Sequence, residues 1–424
     1  MFDRSELRSD PRAQRHYECL AQAGMTSVFR QCCTSRRDST TRPPHQPPDY
    51  GIALPRTLFR ARSKLRTYRV RAINARVYKP LPSCRTIVLW SLSVKDPQNT
   101  SKPQPDTRLD LGRILKARQE ISRMFRDTPQ YDCPNLGNLL GCELVIKLET
   151  ANPIGCFKGR GSEVVMSRLA SSPGPKVAVC ASAGNLGQAL AYSGRARGIG
   201  ITVVTGTNAN AAKIDRIRRL GATVERIEGD IENARERARE IAAHGDAFLV
   251  EDSQNLDTCE GAGTIGLELL DGFDRIDAIL LALGGGALAT GVGHVFKTLS
   301  PATEVVCVQP RGAPAMAMSW RARSVVTTAR TDTIADGVAG RFPIPAVLGD
   351  LLAIADHVPL VEEESIVAGM RMLYRHAALV VEPSAALGVA AILEDPLRYR
   401  GKRVAVVICG SNVLSSSFSA WVQA

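Results

Sequence analysis

The sequence lacks any apolar run that approaches the roughly 20 residues a helix needs to span a bilayer. The longest candidate near the start, residues 86–92, is far too short, and no secretory signal with a small-residue cleavage site precedes it. These absences exclude a membrane-spanning helix. We expect a cytoplasmic protein whose partners do not include a membrane.

Paired metal-ligand spacings are also missing. The 11 cysteines are scattered singly, apart from the adjacent Cys32 and Cys33, which do not form a CxxC pair. The six histidines lie far apart in the chain. We therefore predict buried, reduced thiols in a reducing compartment, and no metal site.

The net charge of +12 is concentrated in the N-terminal quarter of the chain. Residues 1–105 hold 20 Lys plus Arg against 7 Asp plus Glu, whereas the remainder holds 34 basic and 35 acidic residues. Because the remainder is close to neutral, its charge gives no reason to expect a nucleic-acid partner.

Residues 1–106 form a basic arm rich in Arg, Pro and Ser, with weak apolar periodicity. Such a composition buries too little apolar area to offset the entropy of ordering, which predicts a mostly disordered segment. Three interpretations stay open: a nucleic-acid or membrane-surface arm, an organellar targeting peptide, and an appendage or misplaced start with no part in the chemistry.

Beyond Asp110, short β-branched runs alternate with helical stretches. Several runs are continuously apolar, as a sheet covered on both faces requires. The alternation predicts an α/β fold with mainly parallel strands, in which ligands bind beyond the carboxyl ends of the strands. The predicted strands are 144–148, 176–181, 201–205, 223–227, 247–250, 278–283, 304–308 and 404–409, and the predicted helices include 114–125, 162–171, 186–197, 211–220 and 230–244.

Three loops follow predicted strands and open predicted helices. The first, residues 150–161, sets Lys158 among glycines, and a lysine amine becomes a nucleophile when its surroundings keep it neutral. Residues 180–187 are small and expose backbone N–H groups suited to a carboxylate or phosphate. Taken singly, Lys158 could be a surface cation, and Ser182 or Asn185 an ordinary helix cap.

The third loop, residues 283–288, contains three consecutive glycines. Their backbone N–H groups can wrap an anion at the start of a helix. The segment is not GxGxxG, and the chain has no GxxxxGK[ST] motif, which disfavours a dinucleotide and an NTPase. The triple glycine therefore indicates a single phosphate group.

Together these loops resemble those of the fold-type II pyridoxal-phosphate enzymes, and within them the threonine/serine dehydratase (ammonia-lyase) group. Order and spacing match over residues 107–413. Residues 152–161 resemble the family's lysine motif, with Cys156 where serine is usual. Residues 182–185 resemble its substrate-carboxylate loop and 284–288 its phosphate loop, while 260–266, 334–337, 381–385 and 407–413 match further family segments.

The resemblance implies a fold like that of the tryptophan synthase beta subunit. Two open parallel-sheet α/β domains would enclose the active site between them. Residues 107–176 and 253–424 would form the large cofactor-binding domain, and residues 177–252 a small inserted βα domain. The resemblance also implies a homodimer.

The implied cofactor is pyridoxal 5'-phosphate. Lys158 would be the catalytic residue, which holds the cofactor covalently and then takes the substrate's α-proton. Phe157 would flank the cofactor, Asn185 would hydrogen-bond its 3'-oxygen, and Cys409 would face its pyridine nitrogen. The remaining cofactor-binding residues would be Gly284, Gly285, Gly286, Ala287, Leu288 and Glu382, and the substrate carboxylate would lie against Ser182, Ala183, Gly184 and Asn185.

The implied reaction is β-elimination from a small-molecule hydroxy-amino acid, such as L-threonine or L-serine, to a 2-oxo acid and ammonia. A thiol at Cys409 would leave the ring nitrogen largely neutral, which favours prompt loss of a β-hydroxyl over slow carbanion chemistry. Ala183 stands where serine-racemising relatives carry a second serine, which argues against racemase activity.

Further departures from the family bear on specificity and regulation. Leu186 stands where many dehydratases have histidine, which leaves the choice of substrate open. Residues 309–311 (Gln-Pro-Arg) occupy the stretch where metal-dependent relatives have acidic ligands, so no divalent cation is expected there. About 11 residues follow Val413, and no appended regulatory domain is expected.

Two alternative functions remain. One is β- or γ-replacement, as in cysteine synthase or threonine synthase, although the sequence shows no further phosphate site. The other is an inactive dehydratase-like scaffold with a nucleic-acid-binding arm, which only the basic arm supports and which the intact Lys158 counts against.

Overall fold

The computed structural model of the chain describes residues 105–207 and 209–423. The predictions made for the basic arm therefore lie outside the described residues, apart from its last two positions. Among the described helices, none has the length and apolarity that crossing a membrane requires.

Ten strands form two separate sheets among the described residues. The larger sheet has six strands in the order β1-β2-β10-β7-β8-β9, and every neighbouring pair is parallel except the antiparallel pair β1–β2. The smaller sheet has four parallel strands in the order β5-β4-β3-β6. The strands are β1 (Gln130–Asp132), β2 (Glu143–Leu148), β3 (Val177–Ala181), β4 (Gly200–Gly206), β5 (Thr223–Ile227), β6 (Phe248–Leu249), β7 (Ala278–Ala282), β8 (Glu304–Pro310), β9 (Leu360–Val361) and β10 (Arg403–Ile408).

Helices cover both sheets, and two short 3₁₀ turns occur at Asp336–Val338 and Pro383–Ala386. The helices are α1 (Leu111–Glu120), α2 (Pro134–Leu140), α3 (Lys158–Ser171), α4 (Asn185–Arg195), α5 (Ala211–Arg219), α6 (Ile231–Ala243), α7 (Leu256–Gly272), α8 (Ala287–Leu299), α9 (Ala315–Ala322), α10 (Pro345–Ile354), α11 (Glu363–Ala377), α12 (Leu387–Glu394), α13 (Pro396–Tyr399) and α14 (Ser415–Gln423).

The predicted α/β class with mainly parallel sheets is confirmed, and the reason lies in the apolar runs. All five residues of β7 are buried, as are the last five of β10, because both strands lie inside a sheet covered by helices. The main core packs around the larger sheet, and a second core packs around the smaller one. The predicted boundaries of the two domains stay a prediction.

Helix α3, which begins at Lys158, packs unusually close to α7. A Cβ atom added to Gly261 would lie 2.5 Å from the Cα atom of Gly161, and one added to Gly161 would lie 2.8 Å from the Thr258 backbone. Both positions need glycine for this backbone-to-backbone approach. The contact fixes the start of α3, and with it the position of Lys158.

The predicted helix over residues 114–125 is wrong in its second half. Helix α1 ends at Glu120, and Ile121 adopts an extended conformation. The backbone N–H of Ser122 donates to the Glu163 carboxylate at 3.2 Å, and Phe125 turns inward. A Cβ atom on Gly159 would overlap the Phe125 ring, so this aromatic side chain fills the space beside the start of α3. Tertiary packing has overridden the local helical pattern.

Candidate active site

The predicted loops meet at the carboxyl ends of parallel strands. The Phe157 N–H, in the loop after β2, donates to the Cys409 carbonyl beyond β10 at 3.0 Å. The Asn412 side-chain amide donates to the Ile154 carbonyl at 2.8 Å and to the Asn185 side-chain oxygen at 2.6 Å. The lysine loop, the loop after β3 and the turn after β10 therefore form one site.

Lys158 is the first residue of α3, and its amine lies 4.7 Å from the centre of the Phe157 ring. The Lys158 side chain is 16% exposed and pairs with the carboxylate of Asp252. Asp252, which lies 94 positions from Lys158 in the chain, was not among the residues predicted from the sequence. The available signal was its position directly beyond the predicted strand 247–250, at the edge where ligands bind.

The glycine loop presents free backbone donors. Within the described residues, the N–H groups of Gly284, Gly285 and Gly286 donate no hydrogen bond. Gly286 has φ +110°, and a Cβ atom there would lie 2.4 Å from the Val347 side chain, so only glycine suits this turn. Three unpaired N–H groups before the 13-residue helix α8 fit the phosphate of the implied cofactor.

The Ser253 hydroxyl contacts the end of the glycine loop. The Ala287 N–H, a fourth predicted phosphate donor, already donates to the Ser253 hydroxyl at 3.0 Å. Ser253 is fully buried and has φ +68°, an uncommon conformation for serine. A Cβ atom on Gly285 would lie 3.0 Å from the same hydroxyl and 3.5 Å from an Asp252 carboxylate oxygen. Asp252 and Ser253 thus link Lys158 to the glycine loop.

In the loop after β3, Ser182 acts mainly as a cap. Its hydroxyl accepts hydrogen bonds from the N–H groups of Gly184 and Gly187, both at 3.2 Å, at the start of α4. Its own N–H donates to the Val204 carbonyl. The N–H groups of Ala183 and Asn185 have no partner among the described residues, so they are the free donors of this predicted carboxylate loop.

Asn185 and Glu382, both predicted cofactor contacts, touch each other. The Asn185 amide donates to the two Glu382 carboxylate oxygens at 3.0 and 3.2 Å, and the Asn412 N–H donates to the same carboxylate. Burial raises the pKa of Glu382. A Cβ atom on Gly410 would lie 2.5 Å from the Glu382 carboxylate, so glycine is required where the turn after β10 passes this side chain.

Cys409 is buried, and burial holds the pKa of its thiol well above the ordinary value. Burial likewise raises the pKa of the Cys156 thiol to about 12. Both side chains are therefore neutral thiols at physiological pH. Leu288, by contrast, packs its side chain into the main core, which leaves only its backbone for a cofactor contact.

A buried ionic network lies next to the lysine loop, and Arg160 of that loop is part of it. The Arg160 guanidinium, two residues beyond Lys158, donates to Glu149 and to Glu268 at 2.7 Å each, and the Lys147 amine pairs with Glu268 at 2.5 Å. Each of these four charged side chains is at most 3% exposed. The network contains two cations and two anions, so the buried charges balance.

Residues 309–311, where no divalent cation is expected, contact other parts of the chain. The Gln309 side-chain oxygen accepts from the Ala317 N–H at 2.8 Å, and Arg311 pairs with Glu362. In the part of the chain that the structure describes, no group of three or more His, Cys, Asp or Glu side chains could hold a metal ion.

The chain is similar to known proteins over most of its described length. The family model described as "Pyridoxal-phosphate dependent enzyme" matches residues 121–410. A serine racemase of Oryza sativa subsp. japonica is 31% identical over 72% of this chain and 91% of that protein. The L-threonine ammonia-lyase of Thermotoga maritima is 32% identical over 71% of this chain and 75% of that protein.

Other similar proteins are named for dehydratase, racemase and deaminase activities. The beta-hydroxyaspartate dehydratase of Paracoccus denitrificans is 30% identical over 71% of this chain and 95% of that protein. The structure of maize serine racemase matches with a TM-score of 0.67 and 28% identity, covering 73% of this chain and 96% of that chain. The processed form of threonine deaminase isoform 2 from Solanum lycopersicum matches with a TM-score of 0.69 and 26% identity, covering 76% and 95%.

Proposed function

The chain belongs to the pyridoxal-phosphate-dependent enzymes, and we propose that it deaminates a hydroxy-amino acid by β-elimination, releasing a 2-oxo acid and ammonia. The observation that carries the proposal is the convergence of Lys158 with the free N–H groups of the glycine loop, beside a carboxylate loop that offers Ala183 instead of a second proton donor. Elimination needs one base for the α-proton, whereas racemisation needs an acid on the opposite face.

Pyridoxal phosphate, when bound, supplies an electron sink that acidifies the substrate's α-carbon. Lys158 would hold the cofactor, and its neutral amine would then take the α-proton. Gly284, Gly285 and Gly286 would bind the phosphate through their N–H groups. The neutral Cys409 thiol would place no negative charge against the pyridine nitrogen, which suits a reaction whose leaving hydroxyl removes charge promptly.

The Lys158 amine must lose its extra proton and leave the Asp252 carboxylate before it can react, because a protonated amine is not a nucleophile. Phe157 then limits the space around the amine, since its ring lies 4.7 Å away. Asn185 would orient the cofactor, supported by Glu382 and Asn412. These roles use side chains that already contact one another.

Product analysis tests the proposal. Purified protein with pyridoxal phosphate would be incubated with L-threonine and with L-serine, and both 2-oxo acid and D-amino acid would be measured. We expect 2-oxo acid to be the main product and Lys158→Ala to abolish it. D-serine as the main product would support racemisation instead, and a new amino acid formed only with a second substrate would support β-replacement.

A further inference from the structure

The carboxylate of Asp252 contacts the amine of Lys158, the group that would take the substrate's α-proton. The proposed reaction uses this amine but gives the carboxylate no part. The Oδ1 atom of Asp252 is buried and has no hydrogen-bond partner in the part of the chain that the structure describes. Buried polar atoms are nearly always paired, so an unpaired carboxylate oxygen beside a reacting amine is suited to a polar group of the substrate.

The turn that carries Asp252 is fixed on both sides of this residue. Before it, the Glu251 N–H donates to the side-chain oxygen of Asn255 at 2.7 Å. After it, the Ser253 N–H donates to the Thr258 hydroxyl at 3.1 Å. A group that transfers a proton in the reaction needs such a fixed position, because small displacements of a catalytic group lower the rate.

A negative charge at position 252 is unfavourable for phosphate binding by the glycine loop. A Cβ atom on Gly285 would lie 3.5 Å from the Oδ2 atom of Asp252, so a phosphate bound there would lie close to the carboxylate. An asparagine of the same shape would accept the hydrogen bond of Lys158 without this repulsion. The hydrogen bond alone therefore does not account for a carboxylate, whereas the ability to take and give a proton distinguishes aspartate from asparagine.

The position of Lys158 limits how far the leaving group can be from Asp252. To take the α-proton, the Lys158 amine must come within about 3 Å of the α-carbon, and the β-oxygen is only two covalent bonds from that carbon. The substrate carboxylate would lie against the free N–H groups of Ala183 and Asn185. The β-hydroxyl is then free to reach the acidic side chain that contacts the amine, and within the described residues Lys158 pairs with no other acid.

We propose that Asp252 carries the α-proton from Lys158 to the departing β-hydroxyl, which then leaves as water. The Oδ1 atom accepts a hydrogen bond from the β-hydroxyl and holds it in place. Lys158 takes the α-proton as the Cα–H bond breaks, and its ammonium passes a proton to the carboxylate. The carboxyl donates this proton to the β-oxygen as the Cβ–O bond breaks, which regenerates a neutral amine and a carboxylate without a further reactant. The inference rests on the proposed β-elimination.

The test compares leaving groups in the holoenzyme, because chloride departs without a proton whereas a hydroxyl needs one. Elimination from L-serine and from β-chloro-L-alanine gives the same 2-oxo acid, so one assay measures both. Asp252→Asn should lower kcat for L-serine or L-threonine about 100-fold, as loss of a general acid does, and kcat for β-chloro-L-alanine by about threefold at most. Glu251→Gln is the matched control and should keep both activities, because Glu251 adjoins Asp252 but pairs with Arg239.

A second measurement needs no turnover. In the cofactor-free protein, acetic anhydride should acylate Lys158 about threefold to tenfold faster in Asp252→Asn, because the amine is no longer paired with a carboxylate, and peptide mass spectrometry measures this rate.

The outcomes separate this inference from the proposed reaction. Equal losses with L-serine and β-chloro-L-alanine, no loss with L-serine, or an unchanged acylation rate would overturn the role of Asp252 and leave the proposed reaction standing. If the unaltered protein forms 2-oxo acid from none of these compounds, the proposed reaction itself is wrong and the inference is wrong with it.

Discussion

Asp252 places a carboxylate beside both Lys158 and the glycine loop. Its carboxylate pairs with Lys158, and it lies against the glycine loop, where a Cβ atom on Gly285 would be 3.5 Å from it. Its other carboxylate oxygen is buried and has no hydrogen-bond partner within residues 105–207 and 209–423. A phosphate group bound by the glycine loop would lie close to this negative charge and be repelled by it.

Replacing Asp252 by asparagine should therefore tighten cofactor binding. Asp252→Asn keeps the shape but removes the charge, so we expect the Kd for pyridoxal phosphate to fall about threefold to tenfold. Absorbance titration of the cofactor-free protein measures this. Glu251→Gln is the control, because Glu251 pairs with Arg239 away from the loop. Weaker cofactor binding by Asp252→Asn would show that the carboxylate helps to hold the cofactor.

At the scale of elements, the ionic network behind the lysine loop joins β2, α3 and α7. Burial by itself would raise the pKa of Glu268, but the hydrogen bonds and charges of Arg160 and Lys147 outweigh burial and lower this pKa to about 2. A carboxyl whose pKa falls on folding stabilises the fold at a pH above its ordinary pKa of 4.5. That stabilisation is lost as the pH falls toward 2.

Glu268→Gln should accordingly lower the free energy of unfolding by about 3 kcal/mol at pH 7, because it leaves Lys147 buried without its anionic partner. The difference between the variant and the original protein should shrink as the pH falls below 4.5. Urea unfolding at pH 7, 4 and 3 measures both effects. Glu143→Gln, at an exposed ion pair, should cost about 1 kcal/mol or less. A loss that did not depend on pH would contradict the charge argument.

Local sequence patterns predicted most strands because short, continuously apolar runs are typical of strands in a sheet covered on both faces. They failed where distant residues decide the structure. The helix over residues 114–125 ends early because Glu163 holds the Ser122 N–H, a contact 41 positions apart. The strands β1 and β9 were missed because three and two residues are too short to show a pattern.

The site divides in the same way. Loops such as residues 150–161 and 283–288 could be found from sequence because glycines and a lysine follow strands directly. The role of Asp252 could not be predicted, because the sequence alone does not show which loop ends lie close together in the fold.

At the scale of the whole molecule, contacts across the two sheets bring the site together. Asn185 and Arg216 belong to helices of the smaller sheet, and they bind Glu382 and Asn412 of the larger-sheet region. Arg341 pairs with Asp230 at another point between the same regions. Substrate held between the sheets would be shielded from water, which strengthens the electrostatic interactions there. The predicted homodimer stays a prediction.

Every residue assigned to the proposed reaction lies within 105–423, so the basic arm should be dispensable for catalysis. A chain that starts at residue 105 should deaminate its substrate with kcat/KM within about twofold of the full chain, as expected when no catalytic contact is removed. The full chain with unchanged salt conditions is the control. Loss of activity in the shortened, folded protein would give the arm a part in the chemistry, and salt-dependent nucleic-acid binding lost with the arm would support the binding interpretation.

The proposed function depends above all on Lys158 being the residue that holds the cofactor. The most direct measurement is to incubate the protein with pyridoxal phosphate, reduce it with borohydride and locate the modified lysine by peptide mass spectrometry. We expect one stoichiometric modification on Lys158, absent from Lys158→Ala. Modification of another lysine, or no modification at cofactor concentrations that saturate the absorbance change, would contradict it.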